Sequence, residues 1–217
     1  MASIVFNHLS VSGTALPRRE LVLGGQKSGK SRRAEQLALQ WLSANSRHKA
    51  ILIATAQAND PEMAQRIARH RTDRAQTAAA LQCVEEPLEL ASALEQHSAA
   101  GTLIVVDCLT LWLTNRLFSN SASSEVPEVL EAPDPVHLQR VAHQCTQDLL
   151  QAIDHLPATT GPLVMVSNEI GLGVIPLGAP VRAFLDAQGI LHQQLAQRCD
   201  RVTLMVAGLP LFVKGAA

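Results

Sequence analysis

Gly24-Gly25-Gln26-Lys27-Ser28-Gly29-Lys30-Ser31 fits the phosphate-loop pattern G-x-x-x-x-G-K-[ST] at every fixed position. The pattern has a mechanism. Glycines let the backbone turn tightly, so successive N–H groups point inward at phosphate oxygens. A helix beginning at the end of the loop adds its positive dipole end to the same spot. Lys30 can then reach the β- and γ-phosphates, and the Ser31 hydroxyl can bind Mg²⁺. The competing reading is a Gly-rich turn that matches by coincidence. The context argues against it, because a buried strand (residues 21–23) precedes the loop. A helix (residues 31–45) follows it, with Ala34, Leu37, Ala38 and Trp41 at helical spacing.

Working outward from the loop, short apolar runs alternate with helical patterns. Residues 50–54, 103–106, 163–167 and 202–206 read as strands, with 211–214 as an added edge. Residues 62–71, 87–97, 110–118, 136–153 and 180–196 read as helices, the last with a break expected at Gly189. Residues 119–135 carry Ser, Asn, Pro and acidic side chains and read as a mobile loop. The expected fold class is α/β, a mostly parallel sheet with helices on both faces. At 217 residues the chain fits one catalytic domain, residues 20–217, behind an extension at residues 1–19.

Composition narrows the function classes. Hydrophobic residues at 47% and charged residues at 17% suit a globular enzyme. A net charge of −1 gives no field for nucleic acid. Aromatics at 3%, with no Tyr, leave little to stack bases on. No apolar run is long enough to span a bilayer, and the stretch near Ile4 is too short for a secretory signal. The four cysteines lack metal-ligand spacing and read as reduced thiols. The cytoplasm is the expected compartment.

Three further stretches bear on chemistry. Leu103-Ile104-Val105-Val106-Asp107 is a buried strand ending in an acid, which behind a phosphate loop places a carboxylate near Mg²⁺. Val166-Ser167-Asn168-Glu169 runs from a strand into polar residues, on the rim where open parallel sheets bind ligands. From residues alone, Asn168 and Glu169 read equally as a substrate rim or as a plain turn capped by Asn. Arg66 and His70 are i,i+4 neighbours on one helix face. Locally that favours a solvated basic face carrying an ordinary His.

Taken in order, these segments resemble the bifunctional adenosylcobinamide kinase / adenosylcobinamide-phosphate guanylyltransferase family. The resemblance runs from Leu21 to Lys214. It is carried by the phosphate loop with Arg32, by Ile53-Ala54-Thr55-Ala56-Gln57, and by Asp60-Pro61-Glu62-Met63 leading to Arg66-Ile67 and His70-Arg71. Val84-Glu85-Glu86-Pro87 follows, then Asp107-Cys108-Leu109-Thr110 with Trp112 and Asn115. Ser167-Asn168-Glu169 through Pro176, then Arg182, Phe184, Asp186 and Gly189, and finally Val206-Ala207-Gly208-Leu209-Pro210 complete it. The chain departs from the family pattern over residues 74–83, which are Ala-rich and lack the family's Pro and Trp. It departs again at His192, where the family carries Asn.

The resemblance implies a RecA-like P-loop sheet, a homotrimer and two reactions. The hydroxyl of adenosylcobinamide takes the γ-phosphoryl group of ATP or GTP. GTP then guanylylates a histidine, and the GMP passes to adenosylcobinamide phosphate to give adenosylcobinamide-GDP. The aligned histidine is His70, which reverses the local reading. A neutral imidazole is a competent nucleophile near pH 7. The resemblance further implies that Thr55, Ala56, Gln57, Arg71 and Glu85 line the nucleotide site, together with Gly24, Gly25, Gln26, Lys27, Ser28, Gly29, Lys30, Ser31 and Asp107. Two alternatives differ at His70: a small-molecule P-loop kinase without guanylyl transfer, and a nucleotide-switched binding ATPase.

Overall fold

The computed structural model describes residues 16–58, 61–65, 67–68, 72, 80–118 and 134–216. In chain order the named elements are β1 (Arg19–Gly24), α1 (Lys30–Ala44), β2 (Lys49–Ala54), β3 (Gln82–Glu85), α2 (Leu90–His97) and β4 (Thr102–Asp107). Then come α3 (Leu109–Phe118), α4 (Pro135–His155), β5 (Leu163–Asn168), α5 (Ala179–Arg198), β6 (Arg201–Val206) and β7 (Leu209–Lys214). Residues 61–65 are also helical.

The strands form one seven-stranded sheet in the order β3-β2-β4-β5-β1-β6-β7. Every pairing is parallel except β6 with β7. Parallel strands bury both faces, which is why β2, β4 and β5 read as continuous apolar runs. One face packs Leu21, Ile53, Val106 and Met165 against α2, α3, α4 and α5. The other packs Val22, Leu52, Val105 and Val166 against Ala34, Leu37 and Ala38 of α1. Helices therefore cover both faces, as the alternation predicts. The strand bearing the phosphate loop and the strand ending at Asp107 are separated by β5 alone.

Several boundaries differ from the sequence reading for identifiable reasons. β1 reaches back to Arg19 and includes Glu20, a fully buried carboxylate. It accepts from Thr203 Oγ1 at 2.8 Å and Arg201 Nε at 3.1 Å, and Arg33 of α1 lies 3.6 Å away. Such a charge is tolerated in a core only with partners of this kind. β3 is a strand that the pattern did not reveal, and the following helix starts at Leu90 rather than Pro87. The Glu86 carboxylate accepts from the Leu88 and Glu89 amides at 3.0 and 2.8 Å in the turn before it. Helix α5 passes through Gly189 without a break. Asp134 and Pro135 belong to α4: the Asp134 carboxylate caps the Val136 amide at 3.0 Å and Pro135 begins the first turn. The rest of the expected loop, residues 119–133, lies outside the described residues.

Candidate active site

Strand order determines which residues meet. Gly24, Asn168, Asp107 and Ala54 end the adjacent strands β1, β5, β4 and β2. The register pairs Gly24 with Asn168 and Ala54 with Asp107. In an open parallel sheet this carboxyl edge is where ligands bind. A cleft of roughly 1150 Å³ opens there. It is lined by the phosphate loop from Gln26 through Ser31, by Ala56 and Gln57, by Glu85, by Asp107 and by Asn168. Its other wall is the helical stretch bearing Glu62, Met63 and Gln65, continuing to Ala68. Single-ligand pockets run to about 300–1,000 Å³, so this cleft lies at the large end of small-molecule sites.

The loop's geometry follows from its sequence. Gly24 has φ +151°, and a Cβ there would sit 2.6 Å from the Met205 carbonyl oxygen, a backbone atom that cannot yield. Gly29 is the α1 N-cap at φ +101° and brings no capping side chain, so the first helical N–H groups stay open to an anion. Lys30 is buried, and its Nζ donates to the Gly25 carbonyl across the loop at 2.6 Å. The turn between β6 and β7 braces the loop from outside, with the Gly208 amide donating to the Ser28 carbonyl at 3.0 Å.

Behind Asp107 lies a polar brace. Thr55 is fully buried. Its Oγ1 donates to the Cys108 carbonyl at 2.7 Å and accepts from the Cys108 amide at 2.9 Å. The Thr55 amide donates to the Asp107 carbonyl at 3.1 Å. Asn115 in turn donates to the Thr55 carbonyl at 2.7 Å and to the Pro87 carbonyl at 3.2 Å. Thr55 thus faces the strand end rather than the cleft, while its neighbours Ala56 and Gln57 line the cleft. Cys108 also lines it, but its side chain packs in the core, and burial first and then Asp107 push the thiol up to about 12. It stays protonated and is a poor nucleophile.

A second buried network holds the Asn168 rim. Thr110 Oγ1 accepts from the Asn168 amide at 2.8 Å and lies 3.1 Å from Ser167 Oγ. Gln188 of α5 donates to Thr110 Oγ1 at 2.9 Å and to the Asn168 carbonyl at 2.6 Å. His192 Nε2 is 2.7 Å from Ser167 Oγ, and its Nδ1 is 3.5 Å from the Glu169 carboxylate. Burial holds His192 below the ordinary imidazole range, against the opposing pull of Glu169. Glu169 is therefore bound up with the network, and its second oxygen accepts from the Gly171 amide at 2.8 Å. The roles of Thr110 and Gln188 escaped the sequence reading. The one signal present was polar residues within otherwise apolar helix faces.

His70 and Arg71 lie outside the described residues. Ala68, two positions before His70, lines the cleft. For Mg²⁺ the donors that fit are the Ser31 hydroxyl and the Asp107 carboxylate, both in the cleft wall. Hard oxygen donors suit that ion, which is commonly held by one or two carboxylates plus substrate phosphates and water. Among the described residues no cluster of three or more His, Cys, Asp or Glu forms a protein-only cage. None of the described helices is long and apolar enough to cross a membrane.

The cobinamide kinase / cobinamide phosphate guanyltransferase family matches residues 20–213 of this chain. The bifunctional adenosylcobalamin biosynthesis protein CobP of Pseudomonas aeruginosa is 46% identical over 197 residues, spanning 91% of this chain and 98% of that protein. The bifunctional adenosylcobalamin biosynthesis protein CobU of Escherichia coli is 31% identical over 194 residues, spanning 89% and 98%. Among solved structures, the flagellar accessory protein FlaH of Methanocaldococcus jannaschii is 12% identical, with a TM-score of 0.49 over 94% of this chain and 81% of that one.

Proposed function

We propose that this chain, which belongs to the cobinamide kinase / cobinamide phosphate guanyltransferase family, carries out both reactions in succession. In the first, the hydroxyl of the aminopropanol arm of adenosylcobinamide attacks the γ-phosphorus of ATP or GTP. The new P–O bond forms as the bond to the β-phosphate oxygen breaks. In the second, an imidazole nitrogen of His70 attacks the α-phosphorus of GTP, and pyrophosphate leaves. A phosphate oxygen of adenosylcobinamide phosphate then attacks the same phosphorus. The P–N bond breaks and adenosylcobinamide-GDP is released.

The observation that carries this reading is the convergence of the phosphate loop, Asp107 and the stretch ending at Ala68 on one cleft. One triphosphate-binding loop serves both reactions. The amides at the start of α1 and the Lys30 ammonium stabilise charge on the transferred or departing phosphates. Ser31 and Asp107 would hold Mg²⁺, which when bound would supply neutralisation of phosphate charge. Asn168 and the Glu169 turn hold the acceptor side. Arg71 offsets charge on the bound guanylyl group. Splitting guanylyl transfer through a histidine replaces one difficult displacement with two easier ones.

We also take the chain to assemble as a homotrimer, as the family resemblance implies. We place it in the cytoplasm, which its four free thiols fit. Nucleic acid has no part in this reading. The test is product analysis. Adenosylcobinamide with ATP, GTP and Mg²⁺ should yield adenosylcobinamide phosphate and then adenosylcobinamide-GDP by mass spectrometry. Accumulation of the phosphate alone would leave a kinase without guanylyl transfer, and no corrinoid product at all would refute the reading.

A further inference from the structure

Asn168 is gripped through its main chain. Its amide donates to Thr110 Oγ1 at 2.8 Å, and its carbonyl accepts from Gln188 Nε2 at 2.6 Å. Thr110 and Gln188 are buried, and so are Ser167 and His192 behind them. In a buried network each proton needs an acceptor, so the direction of every bond can be assigned. Gln188 gives one amide proton to the Asn168 carbonyl and the other to Thr110 Oγ1, 2.9 Å away. Its 3.4 Å approach to Ser167 Oγ is the longest of the three. The reversed amide would set Oε1 against the Asn168 carbonyl oxygen, acceptor against acceptor. Thr110 Oγ1 therefore accepts twice, and its own proton goes to Ser167 Oγ at 3.1 Å. The Ser167 proton is left for His192 Nε2 at 2.7 Å, so that nitrogen carries none. The imidazole proton then sits on Nδ1, which faces the Glu169 carboxylate at 3.5 Å.

We propose that His192 is a positioning residue for phosphoryl transfer: it is the acceptor that ends this one-way chain and so fixes the Asn168 main chain at the cleft. The proposal rests on the kinase reaction given above and assigns to it a residue that does not itself line the cleft. Strand order explains the effect. β5 lies between β4 and β1, so Asn168 stands between Asp107 and its own register partner Gly24, where the phosphate loop begins. All three strand ends adjoin the phosphates that the loop holds. Burial keeps the imidazole neutral against the pull of Glu169, as an accepting Nε2 requires. Remove that acceptor, and the Ser167 proton turns back toward Thr110. Both lone pairs of Thr110 Oγ1 are already taken, so the returning proton displaces Asn168 or Gln188. Either loss frees one side of Asn168.

The experiment uses the full chain with ¹⁵N-labelled histidine and the variants Ser167→Ala, His192→Leu and His192→Gln. Nitrogen NMR of the unaltered chain near neutral pH should show His192 as a neutral ring protonated on Nδ1. A ring protonated on Nε2 overturns the chain, whatever the variants do. In steady-state phosphorylation of adenosylcobinamide, Ser167→Ala and His192→Leu should each lose kcat, by up to about a hundredfold, the effect of about 1 Å of misplacement. KM for ATP should hold, because the phosphate loop and Lys30 are untouched. The double variant should be no slower than the slower single one, since both cut the same chain. His192→Gln offers Ser167 a carbonyl oxygen in place of Nε2 and should recover most of kcat. Unchanged kcat in both single variants overturns the proposal. So does a His192→Gln variant as slow as His192→Leu, which would assign the ring to packing. If His192→Leu does not fold, the tautomer and Ser167→Ala decide. If the unaltered protein leaves adenosylcobinamide unphosphorylated, the proposed reaction itself fails, a result distinct from a wrong tautomer.

Discussion

Thr55 Oγ1 and the Cys108 backbone hold each other by two hydrogen bonds, donating to the carbonyl at 2.7 Å and accepting from the amide at 2.9 Å. This clasp joins the end of β2 to the residue after Asp107, and so sets the direction in which the Asp107 carboxylate leaves β4. Thr55→Val keeps the shape and removes both bonds, leaving the buried Cys108 amide unpaired, while its carbonyl keeps the Trp112 amide at 3.1 Å. Denaturant unfolding should show a loss of about 1–3 kcal/mol. Turnover should also need more Mg²⁺ for half-saturation. A stability loss with unchanged Mg²⁺ dependence would show that the clasp serves the fold alone.

Lys30 is buried within the loop, with its ammonium on the Gly25 carbonyl. If one loop handles the triphosphate in both reactions, Lys30→Ala should lower phosphorylation and guanylylation alike, each by about 10²–10³-fold. The two are assayed separately. Full kinase activity with guanylylation lost would mean that the loop does not hold the kinase's phosphates.

His192 supplies a pH dependence whose sign can be worked out. Burial places its folded-state pKa below the ordinary 6.5. As pH falls, the unfolded chain takes up the proton first, so stability is full above about 6.5 and declines as pH drops through the folded value. Unfolding free energies of the wild type and His192→Asn, measured from pH 7.5 to 5, should therefore converge as the pH falls. Parallel curves would mean that His192 contributes nothing to acid sensitivity.

Much of this arrangement was legible in the sequence because it is local. The phosphate loop, the Asp107 strand end and Asn168 each announce themselves within a few residues, and a parallel sheet brings strand ends to a common edge. What escaped depends on contacts distant in sequence. Glu20 looked like the boundary of β1 because its partners Arg201 and Thr203 lie about 180 positions away. β3 carries no apolar run, since only Val84 among its four residues is partly buried at the sheet edge. The grip of Gln188 and His192 on Ser167 and Asn168 arises only when α5 docks beside β5. Gly189 looked like a break in α5 because glycine weakens a helix. Tertiary packing of Ala187, Leu191 and Leu195 on either side of it overrides that preference.

Covalent guanylylation is the step that separates a two-reaction enzyme from a simple kinase or a nucleotide switch, and it needs no corrinoid. The direct measurement is incubation of the full chain with α-labelled GTP and Mg²⁺, followed by denaturation and peptide mapping. The expected result is acid-labile, alkali-stable label on the peptide containing His70, with one pyrophosphate released per GMP bound, and no label on His70→Ala. That variant should retain phosphorylation of adenosylcobinamide, because direct γ-phosphoryl transfer requires positioning and charge stabilisation without a covalent intermediate. Absence of covalent label, or label mapped to a lysine or to another histidine, would contradict the account.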